Sequence, residues 1–310
     1  MTKAQGSVRS TVLNIRSVRH LCHRLGATEH ELKRICNDLE KDYRSRKIYK
    51  NGKHRQIDAP VGRLRQLLHN LNRILQNLLF PHNMHGGLRG RSTFTYASGH
   101  VGKPVLVKSD LKNFFPSISS GRVYEMFVNR LGCSPDVAHY LTRLTTYKGF
   151  VPQGSPTSTV IGALVTIKLA GRLDGLAKAL GGKSDIFVDD IVLSGPGYAG
   201  RLKGTVKNII QQEGFQPNDA KTEELDAKTE QVLTGIRVNS ILDVPSEKIE
   251  VVREIIRDLK NRKFGSRYIS ESELASVRGR IRYIIKLNRG TGLFLKRKLQ
   301  ASLRSTDLKK

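Results

Sequence analysis

A chain of 310 residues with 38% hydrophobic side chains can bury one large core or two to three small ones, which excludes a disordered tail. Lys and Arg number 54 against 27 Asp and Glu; the formal net charge of +27 calls for a polyanionic partner, nucleic acid first, and leaves both an enzyme and a pure binding protein open. Three cysteines without CxxC spacing support neither a disulfide framework nor a zinc knuckle, and no apolar run reaches the roughly 18 residues of a membrane span, so a cytoplasmic protein without a membrane partner is expected.

Val8, Val12, Ile15, Val18, Leu21 and Leu25 recur at three- or four-residue steps before Gly26, which predicts a helix over 8–25. Thr28 and Glu31 form a capping-box pattern ahead of a second helix. Asn51-Gly52 between Lys47–Tyr49 and Arg55–Ile57 predicts a basic β-hairpin ending at Pro60, and a leucine-rich stripe follows as a helix over 63–80. Residues 81–103, rich in Gly, His and Ser, read as loop with a short helix. Val105–Val107 reads as a buried strand running into Asp110. A helix over 157–180 precedes a second hairpin, 184–194, with Asp189-Asp190 at its tip. A helix near 200–213, a strand Gln231–Val238 and two helical stripes, Ile249–Leu259 and Leu274–Ile284, complete the chain; Ser270 and Glu273 cap the last. Charge is uneven along it: residues 251–310 hold 17 basic and 5 acidic side chains, whereas 151–200 hold 4 of each, the pattern of a chemical core held by nucleic-acid grips.

An Asp at a strand end is ordinarily a cap, and an Asp-Asp pair is ordinarily an acidic turn. Adjacent carboxylates repel, however, and a pair joined by a third acid is an economical way to hold hard divalent ions, which prefer carboxylates, water and phosphate oxygens. Between the acids, Pro152-Gln153-Gly154-Ser155-Pro156 is a rigid turn whose small residues let backbone approach a ligand. Gly90-Arg91-Ser92 fails as a phosphate loop, because the required first Gly falls on His85 and Arg stands for Lys.

The order of these segments resembles the palm of a reverse transcriptase: Asp110 with Phe115, then Pro152–Pro156, then Phe187-Val188-Asp189-Asp190, then Lys221 in Asn218-Asp219-Ala220-Lys221-Thr222. The resemblance implies an α+β fold of right-hand polymerase type, with fingers and N-terminal helices over 1–103, a palm of antiparallel sheet backed by helices over 104–240, and a helical thumb over 241–310. It implies two Mg2+ ions, catalysis by Asp110, Asp189 and Asp190, and metal binding by these three with the Leu111 carbonyl. Phe115 takes the place of the gate against a ribose 2′-hydroxyl, and Gln153 that of a nucleotide-pocket residue. Lys221 stands near the departing pyrophosphate, and Lys53 and Arg55 on the hairpin that grips the deoxynucleoside triphosphate. Phe187 departs from the usual Tyr of the catalytic box.

Two further segments resemble retron enzymes in particular. Tyr96-Ala97-Ser98-Gly99-His100 matches the NAxxH element with Tyr for Asn, and Leu233-Thr234-Gly235 matches VTG with Leu for Val. Retron membership implies copying of a cognate structured non-coding RNA into branched, RNA-linked DNA, and an effector protein in phage defence. His100, Thr234, Gly235 and the run Arg278, Arg280, Arg282 are the expected RNA contacts. Group II intron-like and abortive-infection polymerases are the rival lineages, and a catalytically inactive RNA-binding scaffold is the rival from another class.

Overall fold

In the computed structural model, which describes residues 11–50, 52–196, 199–261 and 270–307, the chain separates into two compact units. One comprises Met1–Tyr96 and Val105–Glu224, the other Ala97–Pro104 and Leu225–Lys310.

In the first unit, α1 (Val18–Leu25) begins where Ser17 accepts a hydrogen bond from the His20 amide, so the predicted helix over 8–25 is too long. Leu13 and Ile15, two residues apart and both buried, belong to a non-helical segment tied through the Leu13 amide to the Leu131 carbonyl, and their spacing is that of extended chain. Residues 8–10 lie outside the described residues. Helix α2 (Glu29–Asn37) is capped by Thr28, but the Glu31 carboxylate turns to Arg63 at 2.8 Å, so half of the predicted capping box is made.

The basic hairpin is longer than predicted: β1 (Tyr43–Lys50) pairs with β2 (Lys53–Pro60) from Tyr43↔Pro60 to Lys50↔Lys53, turning at Gly52 with φ 73°. Helix α3 (Gly62–Leu75) buries Leu64, Leu67, Leu68, Leu71 and Leu75 on one stripe, as its spacing predicts, but it ends at Leu75, short of the predicted 80. After a loop containing α4 (Thr93–Ser98), β3 (Val105–Asp110) enters the core.

Residues 113–146 fold into α5 (Phe114–Ser117), α6 (Ser120–Glu125), a π-helical turn over Met126–Arg130, and α7 (Pro135–Thr145). The single helix predicted over 157–180 is two: α8 (Ser158–Val165) and α9 (Ile167–Ala179) meet at Thr166, whose hydroxyl bonds back to the Gly162 carbonyl at 2.9 Å.

The predicted acidic hairpin is β4 (Lys183–Phe187) and β5 (Asp190–Gly195), followed by α10 (Ala199–Gln212). These strands form an antiparallel sheet in the order β4-β5-β3, with the start of β6 (Glu223–Asp226) beside β3. The α+β class with an antiparallel sheet and packed helices is as expected.

The second unit has a hydrophobic core of its own, including Val252, Ile256, Val277, Ile281, Ile284, Leu295 and Leu299. The predicted strand Gln231–Val238 is a miniature hairpin. Its strands β7 (Val232–Leu233) and β8 (Ile236–Arg237) are joined by Thr234 and Gly235, at φ 46° and 80°, the backbone of a tight two-residue turn. Helices α11 (Ser246–Asn261), α12 (Glu271–Leu287) and α13 (Arg289–Asp307) follow, and Ser270 and Glu273 make the full capping box predicted for α12. Among the described residues no helix is long and apolar enough to cross a membrane.

Candidate active site

Strand register brings the predicted acids together. The last pair of the β3–β5 ladder is Asp110↔Asp190, and Asp189 sits in the turn just before it, its carbonyl accepting the Leu111 amide at 3.0 Å. Val188, which leads into the turn, has φ 60°, a costly conformation for a β-branched residue.

Asp110 is buried, and both of its carboxylate oxygens are engaged: Asn218 Nδ2 donates to one at 2.9 Å and Lys221 Nζ to the other at 2.6 Å. The Asn218 amide also donates to the Asp110 carbonyl at 2.8 Å, so the segment 218–222 clasps the end of β3. Sequence reading missed Asn218, although it lies in the same motif as Lys221.

Burial, then the charges of Asp189 and Asp110, push Asp190 up to about 6, with Lys221 and Lys108 offsetting part of the effect. Burial and Asp110 likewise raise Asp189, against Lys221 and Arg55. Burial opposes the charge on Lys221, but its bond to Asp110 and the neighbouring carboxylates outweigh this and hold its pKa above the ordinary lysine value.

A carboxyl raised on folding favours the folded state below its unfolded pKa, near 3.8, and that contribution is lost as pH rises through about 6. Without divalent ions, Asp190→Asn should therefore melt a few degrees above the wild-type chain at pH 7.5, and the gap should close towards pH 5. Thermal unfolding at the two pH values checks this; a gap that widens on acidification contradicts it.

Among the described residues no group of three or more His, Cys, Asp or Glu side chains is arranged to hold a metal ion. Asp110 is instead turned towards Lys221. The donor chemistry nonetheless fits a hard cation: all three side chains are carboxylates, and burial together with mutual repulsion penalises ionisation of two of them, a penalty that a divalent ion would offset.

The predicted nucleotide-pocket residues all lie in the first unit. Arg55 is exposed on β2, and its charge reaches Asp189; Lys53 begins β2, and its side chain lies outside the described residues. Gln153 docks on the same strand through its carbonyl, which accepts the Asp58 amide at 2.7 Å. Gly154, at φ 118°, lies so close that a Cβ would stand 3.0 Å from Ile57 Cγ2 and 3.2 Å from the Asp58 carbonyl oxygen. Phe115 is half-buried against Phe114, with ring centroids 5.1 Å apart, near Gly162 of α8.

The expected RNA contacts lie in the second unit and do not form one surface. His100 is fully buried, so an RNA contact through its imidazole requires that segment to open. Thr234 and Gly235 form the β7–β8 turn, and the Gly235 carbonyl is taken by Lys248 Nζ at 3.0 Å and the Tyr283 hydroxyl at 2.9 Å. Arg278 and Arg282 share a face of α12 and, with Lys296 of α13, edge a cavity of about 220 Å³ floored by Ile281, Ile285, Leu299 and Leu303. Arg280 is exposed about 200° round the helix from Arg278 and does not line it.

Sequence comparison finds similarity to retron enzymes. The Retron Se72 reverse transcriptase of Salmonella heidelberg (strain 579083-10) is 28% identical over 269 residues, covering 83% of this chain and 71% of its own length. The Retron Mx65 reverse transcriptase of Myxococcus xanthus is 30% identical over 260 residues, covering 77% of this chain and 60% of its own length. The chain is similar to retron reverse transcriptases over more than three quarters of its length.

No family model matches. Among solved structures, telomerase from Candida albicans in complex with a TWJ fragment of telomeric RNA aligns with a TM-score of 0.49 at 12% identity, covering 82% of this chain and 56% of that one. A foamy viral protease-reverse transcriptase in complex with double-stranded DNA aligns with a TM-score of 0.45 at 15% identity, covering 96% and 51%.

Proposed function

We propose that this chain is a retron-type RNA-directed DNA polymerase that copies a cognate structured non-coding RNA, with Mg2+ held by Asp110, Asp189, Asp190 and the Leu111 carbonyl. The observation that carries this reading is the strand register that sets Asp110 opposite Asp190 with Asp189 in the adjoining turn. Bound there, the ions would supply charge neutralisation for phosphoryl transfer. The chain's own groups do the rest. Lys221, more than half exposed, exchanges Asp110 for the departing pyrophosphate, while Arg55 and Lys53 meet the triphosphate and Gln153 borders the nucleotide. Fingers, palm and thumb then correspond to 1–103, 104–240 and 241–310. A branched RNA-linked product, priming from a guanosine 2′-hydroxyl and an effector protein in phage defence rest on the family resemblance alone.

A DNA polymerase must exclude ribonucleotides. If the half-buried Phe115 ring closes the space beside C2′, Phe115→Val should raise ribonucleotide over deoxyribonucleotide incorporation by about tenfold, since a steric filter on one hydroxyl is worth roughly 1–3 kcal/mol. Single-nucleotide extension with each triphosphate measures the ratio; an unchanged ratio assigns the gate elsewhere.

The thumb reading gives a second test. Arg278→Ala with Arg282→Ala should weaken RNA binding and lower its log-log salt slope by up to about 1.8, at roughly 0.9 per lost phosphate contact on a B-DNA-like duplex. Arg280→Ala, on another face, should have a separate and smaller effect. Filter binding over a salt series decides, and equal effects from the two sets would restore a single arginine surface.

A further inference from the structure

Behind the two-carboxylate turn lies a buried cluster with no role so far. Tyr96 of α4 is 1% exposed, and its ring meets that of Phe187 at 5.6 Å between centroids and 52°, and that of His85 at 5.9 Å and 62°. His85 is buried as well. Its Nε2 lies 2.9 Å from Asp185 Oδ1 and its Nδ1 2.9 Å from Thr95 Oγ1, while its amide donates to the Ile186 carbonyl at 2.8 Å. The Ile186 amide in turn donates to the Asn83 carbonyl at 2.7 Å, so the segment 83–86 runs as an extra parallel rung along the edge of β4. Arg91 holds the approach to this segment in shape by donating to the carbonyls of Phe80, Pro81, His82 and Met84.

Phe187 is the cross-strand partner of Asp190, so whatever fixes the ring at 187 also fixes the strand position opposite that acid. A fully enclosed tyrosine offers RNA no surface. It does offer the turn a wall, because tilted aromatic pairs have a preferred geometry and resist sliding past one another. Two of the three positions at which this chain departs from the motifs it resembles, Tyr for Asn at 96 and Phe for Tyr at 187, are in contact with one another. The ring that lost a hydroxyl faces one that carries it.

We propose that Tyr96 is a positioning residue of the active site, acting through Phe187 to hold the Asp189-Asp190 turn, and not part of an RNA-contacting surface. This rests on the polymerase reading above.

Single-nucleotide extension of a DNA primer on a generic pre-annealed RNA template tests it, with wild type, Y96F, Y96L, F187L and the double variant Y96L/F187L. The ring is what packs, so Y96F should stay within about threefold of wild type. Y96L and F187L should each lower kcat at least about tenfold, with KM for the nucleotide changed less than about threefold, because misplacing reacting groups costs rate more than binding. Both should raise the Mg2+ concentration needed for half-maximal rate. The double variant should be little worse than either single one, since two residues acting through one contact are not additive. RNA affinity by filter binding should not change. Should Y96L melt below the assay temperature, Y96M, which fills more of the space, takes its place in the same comparison. Wild-type kcat and Mg2+ dependence in the ring-less variant, additive losses in the double variant, or a loss confined to binding structured RNA would each overturn the proposal. Absence of extension by the wild-type chain would instead overturn the polymerase reading on which it stands.

Discussion

Asp189→Ala should lower primer extension by the purified chain at least about a thousandfold, equivalent to roughly 4 kcal/mol of transition-state stabilisation, and leave RNA binding within about twofold. Asp189 lies in a hairpin turn, half-buried, with its carbonyl on Leu111, so the backbone contact that orders the turn survives loss of the carboxylate. Its pKa is raised by burial and by Asp110, so the folded chain pays to keep this charge, and alanine should leave the melting temperature equal or higher. An active site defect with unimpaired stability separates chemistry from folding. Extension, filter binding and thermal unfolding on one preparation provide the three readings. If activity fell only in step with melting temperature, Asp189 would be a structural acid.

Gly86→Ala should cost at least about tenfold in extension rate and about 1–3 kcal/mol in stability, for a steric reason. A Cβ at this position would stand 2.3 Å from the Val188 amide nitrogen, 2.4 Å from Val188 Cγ2 and 2.9 Å from the Phe187 carbonyl carbon. Two of these atoms are backbone, and both belong to the approach to the Asp189-Asp190 turn. Either the segment 83–86 retreats from β4, breaking its bonds to Ile186, or the turn moves. Val188, already at φ 60°, has little freedom to absorb the shift. Rate and melting temperature of the alanine variant decide; wild-type values of both would show that Gly86 does not press on the turn.

The candidate catalytic acids were legible because Asp110 ends an apolar strand and Asp189-Asp190 stand between the apolar runs Ile186-Phe187-Val188 and Ile191-Val192-Leu193. That Asp110 would face Asp190 was not legible, since antiparallel register between distant strands leaves no mark in either one. Asn218 and Gly86 escaped for the same reason: their importance lies in contacts with Asp110 and Val188, far away in the chain. Helices α5 and α6, of four and six residues, are too short to show a period of 3.6. Thr234-Gly235 was read through as strand, although its left-handed backbone makes it a turn. The alternation of Arg278, Arg280 and Arg282 looked like one basic face, but steps of two residues on a helix point to opposite sides.

The most direct test of the central claim is extension of a labelled DNA primer annealed to an RNA template, by the wild-type chain with Mg2+ and deoxynucleoside triphosphates, beside Asp189→Ala. The account predicts a ladder of DNA products from the wild-type chain, lost on chelation of the metal and absent with the variant. A wild-type chain that binds the RNA duplex but adds no nucleotide, or a variant that extends as well as wild type, would contradict it.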